Sequence, residues 1–180
     1  LENYGGYSEA NALEFSKLMQ QKLGWSSYGN PKYVAAVMKY LVFTGGGVWG
    51  SPFRGKNWNA AVSSEFGYRV DPLNGSQAFH EGLDIAYPTG TPINAVSGGV
   101  VTSVVFSETG YGHHVRVDCG NGVQVLYAHC SDIFVTKEQS IAAGQVIAEV
   151  GATGRVTGAH LHLGVLVNGE EVNPREYISQ

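Results

Sequence analysis

Six histidines stand in this chain, and three short strings around them could do chemistry. The first is His80-Glu81-Gly82-Leu83-Asp84. An imidazole and a carboxylate are both ordinary zinc ligands, at about 2.0–2.2 Å from the ion. Gly82 inside the string and Pro88 beyond it argue against a helix. The string is therefore expected to be an irregular strand or loop carrying both ligands. The second is His160-Leu161-His162. In a strand, residues two apart point the same way, so His160, His162 and Gly164 share one face. Leu161, Leu163, Val165 and Val167 share the other, and the core should claim that apolar face. The third is Tyr127-Ala128-His129 at the end of a strand, where alternation groups Val123, Val125, Tyr127 and His129.

Taken singly, each signal has a plainer reading. A lone His80 or His129 is more often a packed or surface histidine than a ligand, and an H-x-H pair occurs by chance. His113 and His114 read as structural strand residues. Cys130 follows His129 but points to the opposite strand face, as a small buried side chain does. Glu81 after His80 superficially fits H-E-x-x-H, but position 84 is Asp, and Gly82 spoils the helix that motif requires. Glu81 receives no catalytic role.

The elements that must position these residues fall into two textures. Residues 1–60 hold two helix-like segments. One runs from about Ser8 to Leu23, with Ala12, Phe15, Met19 and Leu23 at helical spacing and Gly24 as a stop. The other follows Asn30-Pro31 and ends at Gly45-Gly46-Gly47. The stretch from Thr44 to Asn59 carries Trp49, Phe53 and Trp58 and reads as an ordered connector. From about Ala61 onward the pattern is short strands. Val100–Phe106, Val115–Cys119, Val123–Ala128, Val146–Val150 and Leu161–Val167 are rich in β-branched residues. Gly98-Gly99, Asn121-Gly122 and Asn168-Gly169 punctuate them, and a hairpin is expected to turn at Gly120-Asn121-Gly122.

The whole chain sets outer bounds. A length of 180 residues fits one domain plus an appendage. The formal net charge is −4 without a Lys/Arg run, so nucleic-acid partners are not expected. Cys119 and Cys130 sit too far apart along their hairpin for a disulfide and read as reduced thiols. The longest apolar stretch, Tyr33 to Phe43, holds Lys39 and is shorter than the ~20 residues of a membrane span. No signal peptide is visible, and the chain begins with Leu1, as a processed product or a piece of something longer would.

Together the strings resemble the lysostaphin-type (LytM-like) zinc endopeptidases of bacterial cell walls. The resemblance covers about Ser63 to Tyr177. It runs through Phe66-Gly67-Tyr68-Arg69, His80-x-Gly-x-Asp84-Ile85-Ala86, Gly90-Thr91-Pro92, Gly110-Tyr111-Gly112 and Asp118-x-Gly-Asn-Gly122. It continues through Tyr127-Ala128-His129 and Gly154-x-x-x-Gly158-Ala159-His160-Leu161-His162. It implies that His80, Asp84 and His162 hold Zn2+, and that His129 and His160 are the two catalytic histidines, one a general base and the other orienting water or stabilising the intermediate. Which does which stays open. Three protein ligands leave the ion an open position, as in catalytic sites. The implied function is hydrolysis of peptide bonds in peptidoglycan, in a cross-bridge or a stem peptide, outside the cytoplasmic membrane and as part of a longer lysin or wall-opening protein. Some relatives use a tyrosine upstream of the first ligand. Val70 to Phe79 has none, and Tyr68 is the nearest.

The expected fold is mainly β (α+β): an antiparallel sheet with a groove over residues 61–180, preceded by two short N-terminal helices within residues 1–60. Three rivals stand beside the hydrolase. The first is a non-catalytic envelope module that binds peptidoglycan or activates another hydrolase. The second is a biotinyl/lipoyl-like barrel, prompted by Ala143-Gly144-Gln145-Val146-Ile147-Ala148-Glu149 but lacking a carrier lysine. The third is an intracellular zinc peptidase acting on ordinary proteins.

Overall fold

The computed structural model describes residues 49–71 and 75–179. The two expected N-terminal helices lie outside the described residues. Residues from Trp49 onward form one compact unit, and twelve strands run through it. They are β1 (Val62–Ser64), β2 (Gly67–Val70), β3 (Gln77–His80), β4 (Gly82–Ile85), β5 (Pro92–Asn94), β6 (Gly99–Val105), β7 (His113–Gly120), β8 (Val123–Ile133), β9 (Ser140–Ile141), β10 (Val146–Val150), β11 (Leu161–Val167) and β12 (Glu170–Val172). The architecture is mainly antiparallel β, and the only helical pieces among the described residues are two short 3-10 turns.

The main sheet runs β1-β4-β11-β8-β7-β6-β9. β12 adds to β11, while β10 bridges β5 and the far end of β8. β2 and β3 form a separate hairpin. Asn121 and Gly122 both have positive φ (55° and 76°), and so do Asn168 and Gly169 (53° and 85°). These are the conformations a two-residue turn needs to match the twist of the strands it joins.

β10 and β11 have the limits expected from sequence. β8 runs on to Ile133, because beyond His129 it leaves β11 and pairs with β10, Val150 facing Cys130. Leu161, Leu163 and Val165 are fully buried beside Leu83 and Ile85, so the core takes the Leu/Val face of β11. The opposite face is less open than alternation alone implies: His162 is 6% exposed. Cys119 and Cys130 are free thiols.

Trp49, Phe53 and Trp58 are buried in this unit. The Trp58 indole N–H donates to the Ser179 carbonyl at 2.7 Å, tying the first and last described turns together. Phe53 packs on Tyr87 with ring centroids 4.5 Å apart. None of the described helices is long and apolar enough to cross a membrane.

Tyr127 is fully buried, and its hydroxyl accepts the Val96 N–H at 2.9 Å. Tyr127→Phe strands that buried donor. It should cost about 1–3 kcal/mol, read as a lowered urea midpoint at unchanged slope.

Candidate active site

The site is built from one cross-strand pair outward. β4 and β11 run antiparallel with Asp84 directly opposite His162. Opposed residues in such a pair project from the same face, so the two side chains meet: Asp84 Oδ1 lies 2.8 Å from His162 Nδ1. His80 arrives from the neighbouring hairpin. The chain leaves β3, turns at Glu81 and enters β4, which brings His80 Nε2 to 3.1 Å from Asp84 Oδ1 and 3.2 Å from His162 Nδ1. All three residues are buried. His80-to-Asp84 is thus strand and turn, as expected.

Hydrogen bonding sets which nitrogen of His80 faces the trio. His80 Nδ1 lies 2.8 Å from the Glu65 carbonyl. A carbonyl only accepts, so Nδ1 keeps its proton, and Nε2 is the nitrogen that donates to Asp84 and can give up its proton to bind a metal at the shared point. Burial alone would raise the Asp84 carboxyl. Hydrogen bonds from His162 and His80, and attraction to those rings, outweigh it and hold Asp84 ionised well below the usual carboxylate range. His162 Nε2 is buried with no hydrogen-bond partner among the described residues, and Nδ1 is the nitrogen that faces Asp84 and His80.

This donor set fits a metal ion. Two imidazoles and a carboxylate without sulfur suit zinc, and their atoms lie within 4.8 Å of one another. Tetrahedral zinc with bonds of 2.0–2.2 Å separates its ligands by about 3.3–3.6 Å, close to the spacings seen here. Gly82 makes room for the arrangement. A β-carbon there would sit 2.6 Å from His162 Cε1 and from the Leu163 carbonyl.

His129 reaches the same face by breaking the strand pattern. Ala128 pairs with His162 and Tyr127 with Leu163, so Tyr127 faces the core. Regular alternation would send His129 to the core as well. Instead His129 has φ +62°, a left-handed conformation unusual for a side-chain-bearing residue. That twist turns its ring to 4.8 Å from His160 and 5.9 Å from His162. Tyr127 and His129 therefore do not share a face, contrary to the expectation from regular alternation.

Both of these histidines are pinned through Nδ1, His129 to the Thr153 carbonyl at 2.8 Å and His160 to the Gly158 carbonyl at 2.9 Å. Each therefore keeps its Nδ1 proton and offers a bare Nε2. Burial is the main reason His129 is pushed down to about 4. The Thr153 hydrogen bond opposes that shift, and the neighbouring His160 and His162 rings reinforce it. Thr153 is itself knotted in place: its hydroxyl donates to the Cys130 carbonyl and accepts the His113 N–H, both at 2.9 Å. The loop carrying it lies backbone to backbone on the loop before β7. A β-carbon on Gly154 would meet Gly112 N at 2.4 Å.

A groove of about 510 Å³ opens over the trio, its walls including Arg69, Glu81, Tyr111 and Arg155. Tyr111 donates to Glu81 at 3.0 Å, and its ring lies 5.5 Å from His162. It is the tyrosine of the groove, whereas Tyr68 is 85% exposed. His113 and His114 bond to Ser131 and Gly112 carbonyls and stay outside the trio. Sequence reasoning missed the groove role of Arg69 and Tyr111, although both stand in motifs it singled out. It also missed the Glu65 and Thr153 carbonyls, which no side-chain type reveals.

Known proteins are similar to this chain over the residues that form the site. The family profile described as Peptidase family M23 matches residues 78–174. The DD-carboxypeptidase/endopeptidase Mpg of Neisseria meningitidis serogroup B is 45% identical over 113 residues, which are 63% of this chain and 26% of that protein. A zinc-containing peptidase structure from Vibrio cholerae aligns with TM-score 0.58 and 35% identity, covering 62% of this chain and 35% of that one. A variant of the catalytic domain of the prophage-encoded M23 protein EnpA from Enterococcus faecalis aligns with TM-score 0.61 and 34% identity, over 71% of this chain and 96% of that one. The chain spans about a quarter of the length of the curated relatives it matches. It belongs to peptidase family M23.

Two outcomes follow from the geometry. Gly82→Ala should push His162 aside and weaken zinc binding about 10- to 100-fold, measured by chelator competition. The His129 ring should titrate near 4 rather than 6.5 in NMR of the zinc-free chain, and lower still with zinc nearby. The folded chain then binds fewer protons here than the unfolded chain. The stability this residue contributes is present above pH 6.5 and is lost as pH falls towards 4.

Proposed function

We propose that this member of peptidase family M23 is a zinc-dependent endopeptidase that hydrolyses peptide bonds of bacterial peptidoglycan, preferring bonds between two D-amino acids. One observation carries the reading. A buried His80–Asp84–His162 trio opens on a groove where two further imidazoles, His129 and His160, each point a bare Nε2 inward. A structural metal site has no use for that second pair. The DD preference rests on relatives named DD-carboxypeptidase/endopeptidase and peptidoglycan DD-endopeptidase.

His80, Asp84 and His162 would hold the ion. Zinc, when bound, supplies a Lewis acid that acidifies water and polarises a carbonyl oxygen. One of His129 and His160 takes a proton at Nε2 from the water that attacks the scissile carbonyl carbon. It then passes that proton to the departing amine nitrogen. The other hydrogen-bonds to the water or the tetrahedral intermediate. The carbonyls of Thr153 and Gly158 keep both rings in the tautomer that can do this. Burial lowers the basicity of His129, which keeps its ring neutral at neutral pH.

The peptidase domain of this reading spans residues 61–180, with Trp49, Phe53 and Trp58 packed into the same unit. Residues 1–60 form an extension within a longer protein that acts in the cell envelope or outside the cell.

The test is digestion of purified sacculi by zinc-loaded wild type and His129→Ala, with products read by mass spectrometry. The reading predicts defined peptides from wild type. It predicts full zinc and about 10²- to 10⁴-fold slower release from His129→Ala. Wild type that holds zinc and binds sacculi without cutting any would favour the non-catalytic envelope module.

A further inference from the structure

The β2–β3 hairpin has two unlike faces. Tyr68 and Phe79 are directly paired, with ring centroids 5.1 Å apart, and both are exposed, Phe79 at the rim of the groove. Arg69 and its partner Ala78 project from the other face, and both line the groove with His80. Ala78 is too small to cover the arginine. The Arg69 side chain stays about one-third exposed, and its Nη2 is 3.9 Å from Asp84 Oδ2. That is beyond hydrogen-bonding distance, and Asp84 Oδ1 is already engaged by two imidazoles.

The other charges on the groove wall are answered. Arg155 is held by Asp71 at 3.0 Å, and Glu81 accepts from Tyr111 at 3.0 Å. Among the described residues, Arg69 alone is a groove cation with no carboxylate at hydrogen-bonding distance. Its planar fork of donors suits a carboxylate taken two oxygens at a time. It also stands beside the trio, so the carboxylate it meets belongs to a residue next to the scissile bond.

Chemistry narrows the choice, on the premise that the proposed function is right. When a direct cross-link joins a D-alanyl carbonyl to the D-centre of a diamino acid, the carbon bearing the scissile nitrogen keeps its own carboxylate free. The same is true of an uncross-linked D-alanyl-D-alanine end. In a polyglycine bridge that carboxyl is consumed in the next peptide bond. We propose that Arg69 is a specificity-determining residue that binds this free carboxylate on the amine side of the cut. The chain thereby selects direct D,D cross-links and D,D ends over neutral bridges.

The test uses a synthetic cross-linked dimer whose meso-diaminopimelate D-centre carries either a carboxylate or its amide. Zinc-loaded wild type should favour the acid about 10- to 100-fold in kcat/KM, the range of a lost charge-assisted hydrogen bond. R69Q with full zinc should shrink that preference to within about threefold, and R69K should keep part of it. In the His129→Ala background, calorimetric titration should show the same acid-over-amide ratio in Kd, and adding R69Q should remove it.

Equal loss of kcat on both substrates in R69Q would overturn the proposal and place Arg69 on the oxyanion instead. Wild type cutting both forms alike would also overturn it while leaving the peptidase reading intact. Wild type cutting neither form, nor any sacculus, would overturn both. If R69Q loses zinc, R69K decides: a retained preference supports the proposal, and an absent one contradicts it.

Discussion

Everything at this site depends on the register between β4 and β11. Because Asp84 faces His162 across an antiparallel pair, a carboxylate and an imidazole far apart in sequence are fixed on one face by backbone hydrogen bonds. A slip of one residue would send His162 into the core and Leu161 and Leu163 into the groove. The fully buried Leu83, Ile85, Leu161 and Leu163 therefore do more than stabilise the domain. Their burial makes any other register costly, so the hydrophobic core is what holds the ligand geometry. Gly82, paired with Gly164 further along, keeps that face free of a side chain where the His162 ring must lie.

The second pair of imidazoles is secured differently. His160 precedes β11 on the same face as His162, which alternation supplies without strain. His129 needs a left-handed backbone, and such a residue persists only when its surroundings over-determine it. They do so here. Its N–H donates to the Tyr111 carbonyl at 2.9 Å, its Nδ1 reaches Thr153, and Thr153 is tied back to Cys130 and His113. The strain sits where β8 changes partners from β11 to β10. One local twist thus redirects the strand and turns the His129 imidazole towards His160 and His162.

Much of this was legible in the residues. The alternating Leu/Val face of β11 announced its core side, and the two histidines two apart announced the other. Asn-Gly pairs marked the turns. Gly82 within the His80-to-Asp84 string pointed to a non-helical segment. The rest was not legible for physical reasons. The orientation of His129 depends on a φ that no glycine advertises. The carbonyls of Glu65, Thr153 and Gly158, which fix three tautomers, are backbone atoms common to every residue. Arg69 stands inside a motif of the sequence, but only the fold, which brings its Nη2 to 3.9 Å from Asp84 Oδ2, shows that its guanidinium faces the groove.

The most direct measurement is a crystal structure of the zinc-loaded chain with anomalous data at the zinc edge. The account predicts one strong peak bonded at about 2.0–2.2 Å to His80 Nε2, an Asp84 oxygen and His162 Nδ1, with His129 and His160 oriented towards it but not bonded. A peak ligated by His129 or His160 in place of one of the trio would contradict it. So would bonding of His162 through Nε2, because the register of β4 and β11 would then not be what sets the site.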